Sequence, residues 1–314
     1  MQFGVMASGQ MPEALPDPGI FRDIAACAED LRYDSLWCGD HLSFGNPILE
    51  GSIALSAFAS YTTSITIGTG VLLLPLRPPG LVAKQMASLD YLTGGRVVCG
   101  VGVGGESAKD FELVGIPRSE RGVRTDEGIE VMRALWTDPE ASFNGRFTRF
   151  DDVGINPMPV RLGGPPIWVG GRADAALRRA GRLGDGWMGY MVSPDRFETS
   201  IARVRTHARD AQRDADGVAA ALMIPTRLAD DGDEARRDLA GHLTQRYHRE
   251  FTHELISKLC LAGSPAEVAA RVSEYERSGV RHLIFLYGGD PAQAIDQFKR
   301  LHDAVVSPRN IESV

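Results

Sequence analysis

Eight short apolar runs, at residues 3–7, 35–39, 65–74, 97–103, 167–170, 187–191, 221–226 and 282–287, alternate along the chain with segments of helical periodicity. Apolar runs of this length bounded by turn residues read as strands buried on both faces. Their alternation with helices calls for parallel pairing, because each return to the same end of a sheet needs a crossover. Helical spacing is clear in Ile20, Ile24, Ala28 and Leu31, in Ile129, Met132 and Trp136, and in Ala176, Leu177, Ala180 and Leu183. Ser264-Pro265-Ala266-Glu267 joins an N-cap, a first-turn proline and a capping-box glutamate, and Gly279 marks the stop. The pattern predicts an α/β chain, a single (β/α)8 TIM barrel with insertions, with residues 1–314 as one domain and an open doubly wound sheet as the alternative. Two intervals are irregular. Phe143-Asn144-Gly145-Arg146-Phe147 predicts a hairpin outside the main sheet, and the acidic turn at 230–234 opens an amphipathic stretch ending near Leu261.

The charge balance excludes several classes. With 34 Lys and Arg against 41 Asp and Glu, the net charge of -7 leaves no basic tract to follow a phosphate backbone, so nucleic acid is not an expected partner. Cys27, Cys38, Cys99 and Cys260 show no CxxC spacing and predict reduced thiols. The opening Met1-Gln2-Phe3-Gly4-Val5-Met6 lacks a basic segment followed by a long apolar one, and no run reaches bilayer length. The expectation is a cytoplasmic protein with no membrane partner.

Barrel active sites form at the C-terminal ends of the strands, so residues just past each run are the candidates. Asp40-His41 follows the second run, and Glu106 follows the glycine-rich end of the fourth; together they outline an acid/base pair at one mouth. A structural histidine and a solvated carboxylate are the plainer readings of the same two residues. Gly100, Gly102 and Gly105 formally match a dinucleotide fingerprint, but the acidic residue that should end a second strand some way on is replaced by a charged helix start, and that reading is rejected. What survives is a strand end at which Gly104 and Gly105 let a planar or anionic ligand approach the backbone. Gly170-Gly171, before a helix and beside Arg172, suits a phosphate, although the pair could merely end a strand. No histidine pair has metal-ligand spacing, and GxSxG and Walker A sequences are absent, so no metal site, serine hydrolysis or P-loop chemistry is expected.

Taken together, Tyr33-Asp34-Ser35-Leu36-Trp37 with Asp40-His41, the run from Gly68 to Pro78, Ala83-Lys84-Gln85, Gly94-Gly95-Arg96, Pro165 to Gly171 and Arg182 to Trp187 resemble the bacterial luciferase-like superfamily of flavin- and deazaflavin-dependent oxidoreductases. The likeness covers most of the chain to residue 195 and again 263–287, and is closest to actinobacterial F420-dependent members. It implies a (β/α)8 barrel holding reduced FMN or coenzyme F420 at its C-terminal mouth, with a non-proline cis peptide at Gly70-Val71. It further implies that Asp40 and Leu73 lie near the ring, Gly104 and Gly105 by the ring or ribityl chain, and Gly170 and Gly171 at the phosphate. Glu106 resembles the carboxylate that F420 dehydrogenases set beside the deazaflavin, whereas the lysine they carry after the sixth strand has no counterpart in Val192-Ser193-Pro194-Asp195.

The leading expectation is therefore F420-dependent hydride transfer to or from a small organic substrate, with His41 and Glu106 handling protons. The alternatives are an FMNH2-dependent two-component monooxygenase, served by a separate reductase, and a flavin-binding protein without catalysis. Met6, Phe44, Trp187, Tyr190, Tyr247, Phe251 and Tyr287 are expected to line an aromatic pocket suited to an apolar or planar substrate, although aromatics inside a barrel also serve simply as core. The resemblance also implies a homodimer.

Overall fold

The computed structural model describes residues 1–7 and 18–312. Each apolar run is a strand: β1 (Gln2–Met6), β2 (Ser35–Cys38), β3 (Thr66–Thr69), β4 (Val97–Gly102), β5 (Ile167–Gly170), β6 (Gly186–Tyr190), β7 (Ala219–Leu228) and β8 (His282–Tyr287). All neighbours pair in parallel in chain order, and β7 pairs with both β6 and β8, so the sheet closes into an eight-stranded barrel. Every residue of β2 and β4 is buried, as continuous apolar runs demand when helices cover the outside and side chains fill the inside. The helices Gly19–Asp30, Gly51–Tyr61, Pro79–Thr93, Arg121–Thr137, Asp174–Leu183, Pro194–Asp210, Pro265–Arg277 and Ala294–Leu301 form the outer layer, one after each strand. Ser264 and Glu267 make the reciprocal capping box.

The barrel interior is plugged at its N-terminal end. Trp37 stacks on Trp168 with centroids 5.2 Å apart, and the His282 ring meets both edge-on. Trp37 Nε1 donates to Ser35 Oγ at 2.7 Å, Ser35 Oγ lies 2.6 Å from His282 Nε2, and His282 Nδ1 lies 3.2 Å from Gln2 Oε1. These polar groups occur at the first residues of β1, β2 and β8, where a continuous chain of hydrogen bonds satisfies them. Nearer the other end, Met6, Met188 and Met223 converge below Gly70.

The expected third strand, 65–74, is interrupted. Beyond β3 the Gly70-Val71 peptide is cis, and pairing resumes with Leu72–Leu73 against Val101 and Gly102. The interruption is held from both sides: Gly70 N donates to the Cys38 carbonyl at 2.7 Å and Leu73 N to Asp40 Oδ2 at 2.8 Å. Gly100 admits this close passage, since a Cβ there would lie 1.8 Å from the Thr69 carbonyl oxygen.

The hairpin Ala141–Asn144 with Arg149–Val153 stands outside the barrel, as expected, with a longer loop than a two-residue Asn-Gly turn. It rests on the helix Arg121–Thr137, where Glu127 accepts from Arg146 N and Phe147 N and Arg124 covers the Phe147 ring. After β7 the chain makes a second excursion, the helices Gly232–Tyr247 and His253–Leu259 and the short strand Leu261–Gly263. Leu239, Leu243, Phe251, Ile256 and Cys260 give it a small core of its own against Met191. No helix among the described residues is long and apolar enough to cross a membrane.

Candidate active site

A cleft of about 240 Å³ opens at the C-terminal end of the barrel. Asp40, His41, Gly70, Val71, Leu73, Gly104, Glu106, Gly170 and Gly171 line it, so barrel closure brings together the expected site residues with one exception. Gly105 stands just outside the lining, its carbonyl accepting from Arg118 Nη2 at 2.7 Å. The wall is largely backbone, supplied by glycines at the ends of β2, β4 and β5 and by Gly70, over an apolar floor of Met6, Met188, Met223 and Leu286. Gly171, at φ +124, holds a backbone conformation that side chains rarely adopt.

His41 is nearly buried and is held by two carboxylates. Its Nδ1 lies 2.8 Å from Asp110 Oδ2 and its Nε2 lies 3.7 Å from Glu106 Oε2. Asp110 is wholly buried at the start of the helix Lys109–Val114, and its other oxygen accepts from Leu42 N and Ser43 N, both at 2.8 Å. A carboxylate so placed is an acceptor, which assigns the Nδ1 hydrogen of His41 to Asp110 and turns Nε2 toward Glu106. Burial pulls the His41 pKa down, but the hydrogen bonds and charges of Glu106 and Asp110 outweigh it and hold the imidazolium above its ordinary value. For Glu106 burial pushes upward, and His41, Arg246 and Arg172 outweigh it, so the carboxylate ionises below its ordinary value. Phe44 stacks on the His41 ring at 4.2 Å between centroids.

Asp40 borders the cleft, where the resemblance implies it, and its carboxylate is fully engaged by the protein. Its carboxylate accepts from Gly51 N at 2.9 Å, Leu73 N at 2.8 Å, and both terminal nitrogens of Arg77 at 2.7 and 2.8 Å. Four donors fill the acceptor capacity of one carboxylate. Asp40 borders the cleft, yet its chemistry is spent on fixing the interrupted third strand to the end of β2, with Arg77 braced in turn by Glu50.

The expected aromatic lining is corrected in part. Met6, Tyr190 and Tyr247 line the cleft, the two phenol oxygens 2.6 Å apart. Trp187 instead packs on Phe197 outside the barrel and donates Nε1 to the Gly171 carbonyl, Phe251 belongs to the core of the excursion, and Tyr287 is engaged by Arg227. Side chains alternate across a strand, so a one-residue difference in position decides which aromatic faces inward. The sequence reading missed Asp110 and Arg246. Asp110 sits among charged helix residues with no distinguishing spacing, and Arg246 comes from the distant excursion.

The sequence model of the luciferase-like monooxygenase family matches residues 1–282. An uncharacterized protein of Mycobacterium tuberculosis is 37% identical over 219 residues, 63% of this chain and 75% of that protein. An F420-dependent glucose-6-phosphate dehydrogenase of Nakamurella multipartita is 27% identical, over 98% of this chain and 96% of its own length. Among solved structures, an F420-dependent secondary alcohol dehydrogenase in complex with an F420-acetone adduct superposes with a TM-score of 0.83 at 23% identity, covering 97% of this chain and 98% of that one.

Proposed function

This chain belongs to the luciferase-like monooxygenase family, and on that premise we propose that it is an F420-dependent oxidoreductase transferring hydride to or from a small, largely apolar substrate. The observation that carries the reading is the Asp110–His41–Glu106 arrangement at the rim of a cleft walled by glycine backbone. An F420-dependent relative over nearly the whole length supports the choice of cofactor. The cleft fits a planar, mostly apolar ring: backbone at Gly70, Gly104, Gly170 and Gly171 leaves room at the wall, and a Cβ on Gly170 would already meet Val71 at 2.8 Å. Bound F420 supplies a ring carbon that gives or accepts the hydride.

The protein's own part is positioning and proton handling. Gly104, with Gly105 behind it, would hold the ring or ribityl chain, and Gly170 with Gly171 the phosphate. Leu73 and Val71 would pack beside the ring, and Asp40 keeps both in place through the Leu73 amide. The methionine floor excludes water. Asp110 holds His41 so that Nε2 carries a proton to the substrate oxygen or removes one from it, and Glu106 stabilises the charged imidazole. Substrate, cofactor and four buried thiols fit a cytoplasmic enzyme. The exposed Ile53, Leu81, Tyr91 and Leu92 on the helices Gly51–Tyr61 and Pro79–Thr93 support a homodimer.

Titration with F420 and with FMN, followed by absorbance and calorimetry, tests the assignment. F420 should bind the more tightly, and His41→Ala and Glu106→Ala should retain F420 while losing turnover by about 10²–10⁴-fold. Tight FMN binding with negligible F420 affinity would overturn this reading in favour of an FMNH2-dependent monooxygenase, which the family's name also covers. Cofactor binding with no redox turnover of any substrate would leave a carrier of flavin or deazaflavin.

A further inference from the structure

Among the described residues, Arg246 is the one arginine or lysine on the lining of the cleft, and beyond its charge acting on Glu106 the proton relay at His41 makes no use of it. It stands in the last turn of the helix Gly232–Tyr247, on the excursion that leaves the barrel after β7. Its Nε is buried and finds no hydrogen-bond partner among the described residues. Its guanidinium carbon lies 5.0 Å from the Tyr247 ring centroid and 5.9 Å from that of Phe44, the ring stacked on His41. The guanidinium is thus on the His41 side of the cleft, where its charge also acts on Glu106.

The rest of this part of the lining offers little polar recognition. Ile48, Met188, Met223 and Leu286 are apolar, and the Tyr190 and Tyr247 hydroxyls are occupied with each other and, for Tyr247, with the Arg246 guanidinium, whose Nε stays unpartnered. A planar guanidinium with an unmet donor between aromatic faces is suited to an oxygen anion, which it can receive through two parallel hydrogen bonds. An apolar pocket with one such group fixes the orientation of a ligand by that contact.

We propose that Arg246 anchors the substrate, and that the substrate is an apolar molecule bearing one carboxylate, seated against the methionine floor with its acid on the guanidinium. The inference rests on the reading of this cleft as an oxidoreductase active site. Anchored in this way, a ligand's apolar body lies over the floor while its acid stays on the side of His41 and Glu106.

Calorimetry with a naphthalene carboxylate and with its carboxamide, which shares the apolar body, tests this on the full chain. The wild type should prefer the carboxylate by about tenfold or more, the range of a charge-assisted hydrogen bond. Arg246→Met should abolish the preference and Arg246→Lys should restore part of it, with thermal unfolding recorded on each variant to show that it is folded. Equal affinity for the two probes, or a preference that persists in Arg246→Met, overturns the proposal. So does a carboxylate that competes with F420, because Arg246 would then face the cofactor's acid. Absence of F420 binding alongside an intact carboxylate preference would instead remove the cofactor reading and leave the anchor standing.

Discussion

Asp110 gives His41 a direction. With Nδ1 tied to a wholly buried carboxylate that two neighbouring backbone amides hold in place, the imidazole cannot turn without breaking its hydrogen bond to Asp110. Replacing Asp110 by Asn keeps the shape and removes the charge, so the His41 pKa should fall. A group raised in the folded protein stays protonated to higher pH, and any step that needs the imidazolium fails as pH rises through that value. Asp110→Asn should therefore move the basic limb of the activity profile to lower pH, with a matching shift in the His41 ring resonances by NMR; an unmoved limb would assign Asp110 to the loop alone. His41 and Glu106 were legible because each follows a recognisable strand, whereas Asp110 carried no local mark. Asp40 was legible in place only: its saturation by Gly51, Leu73 and Arg77 depends on three segments meeting.

At the scale of elements, two glycines with opposite surroundings test how closely the strands pass. Gly100→Ala would drive a Cβ into the Thr69 carbonyl, and should cost about 3 kcal/mol in urea unfolding and disturb the neighbouring strand interruption. Gly241, inside the helix Gly232–Tyr247 with nothing within 4 Å of an added Cβ, should gain roughly 0.5–1 kcal/mol on the same substitution. If the two variants behave alike, packing does not explain these glycines. The capping box offers a third measurement: Ser264→Ala should lose about 1 kcal/mol, since it frees the Glu267 amide that Ser264 Oγ accepts. The capping box was readable from capping chemistry over four residues, whereas the close passage at Gly100 needs two strands in place. The break at Gly70-Val71 came from the resemblance, because glycines inside the run 65–74 do not by themselves say where pairing stops.

For the whole molecule, the plugged end of the barrel sets a dependence on pH. Burial pulls His282 down to about 3, so the folded protein keeps it neutral while the unfolded chain protonates near 6.5. His242 is likewise pulled down to about 4, by burial and then by Arg246 and Arg227. For groups depressed on folding, stability is complete above the unfolded value and is lost as pH falls toward the folded one. The urea midpoint should drop between pH 7 and pH 5, and His282→Gln should flatten that slope. His41 works in the opposite sense, so the comparison between variant and wild type isolates His282. We further propose that residues 1–314 unfold as one domain; coincident fluorescence and circular dichroism transitions would support this, and separate ones would count against it. The sequence by itself determined the alternation of strand and helix, the hairpin and the glycine-rich strand ends, because each is written in local periodicity and turn chemistry. Only the tertiary structure decided that the sheet closes instead of staying open, which aromatics face inward, that Asp40 is consumed by the framework, that Asp110 reaches His41, and that Arg246 reaches the cleft. Those contacts join loops far apart in the chain, and they exist only once the closed barrel gathers its strand ends at a common mouth.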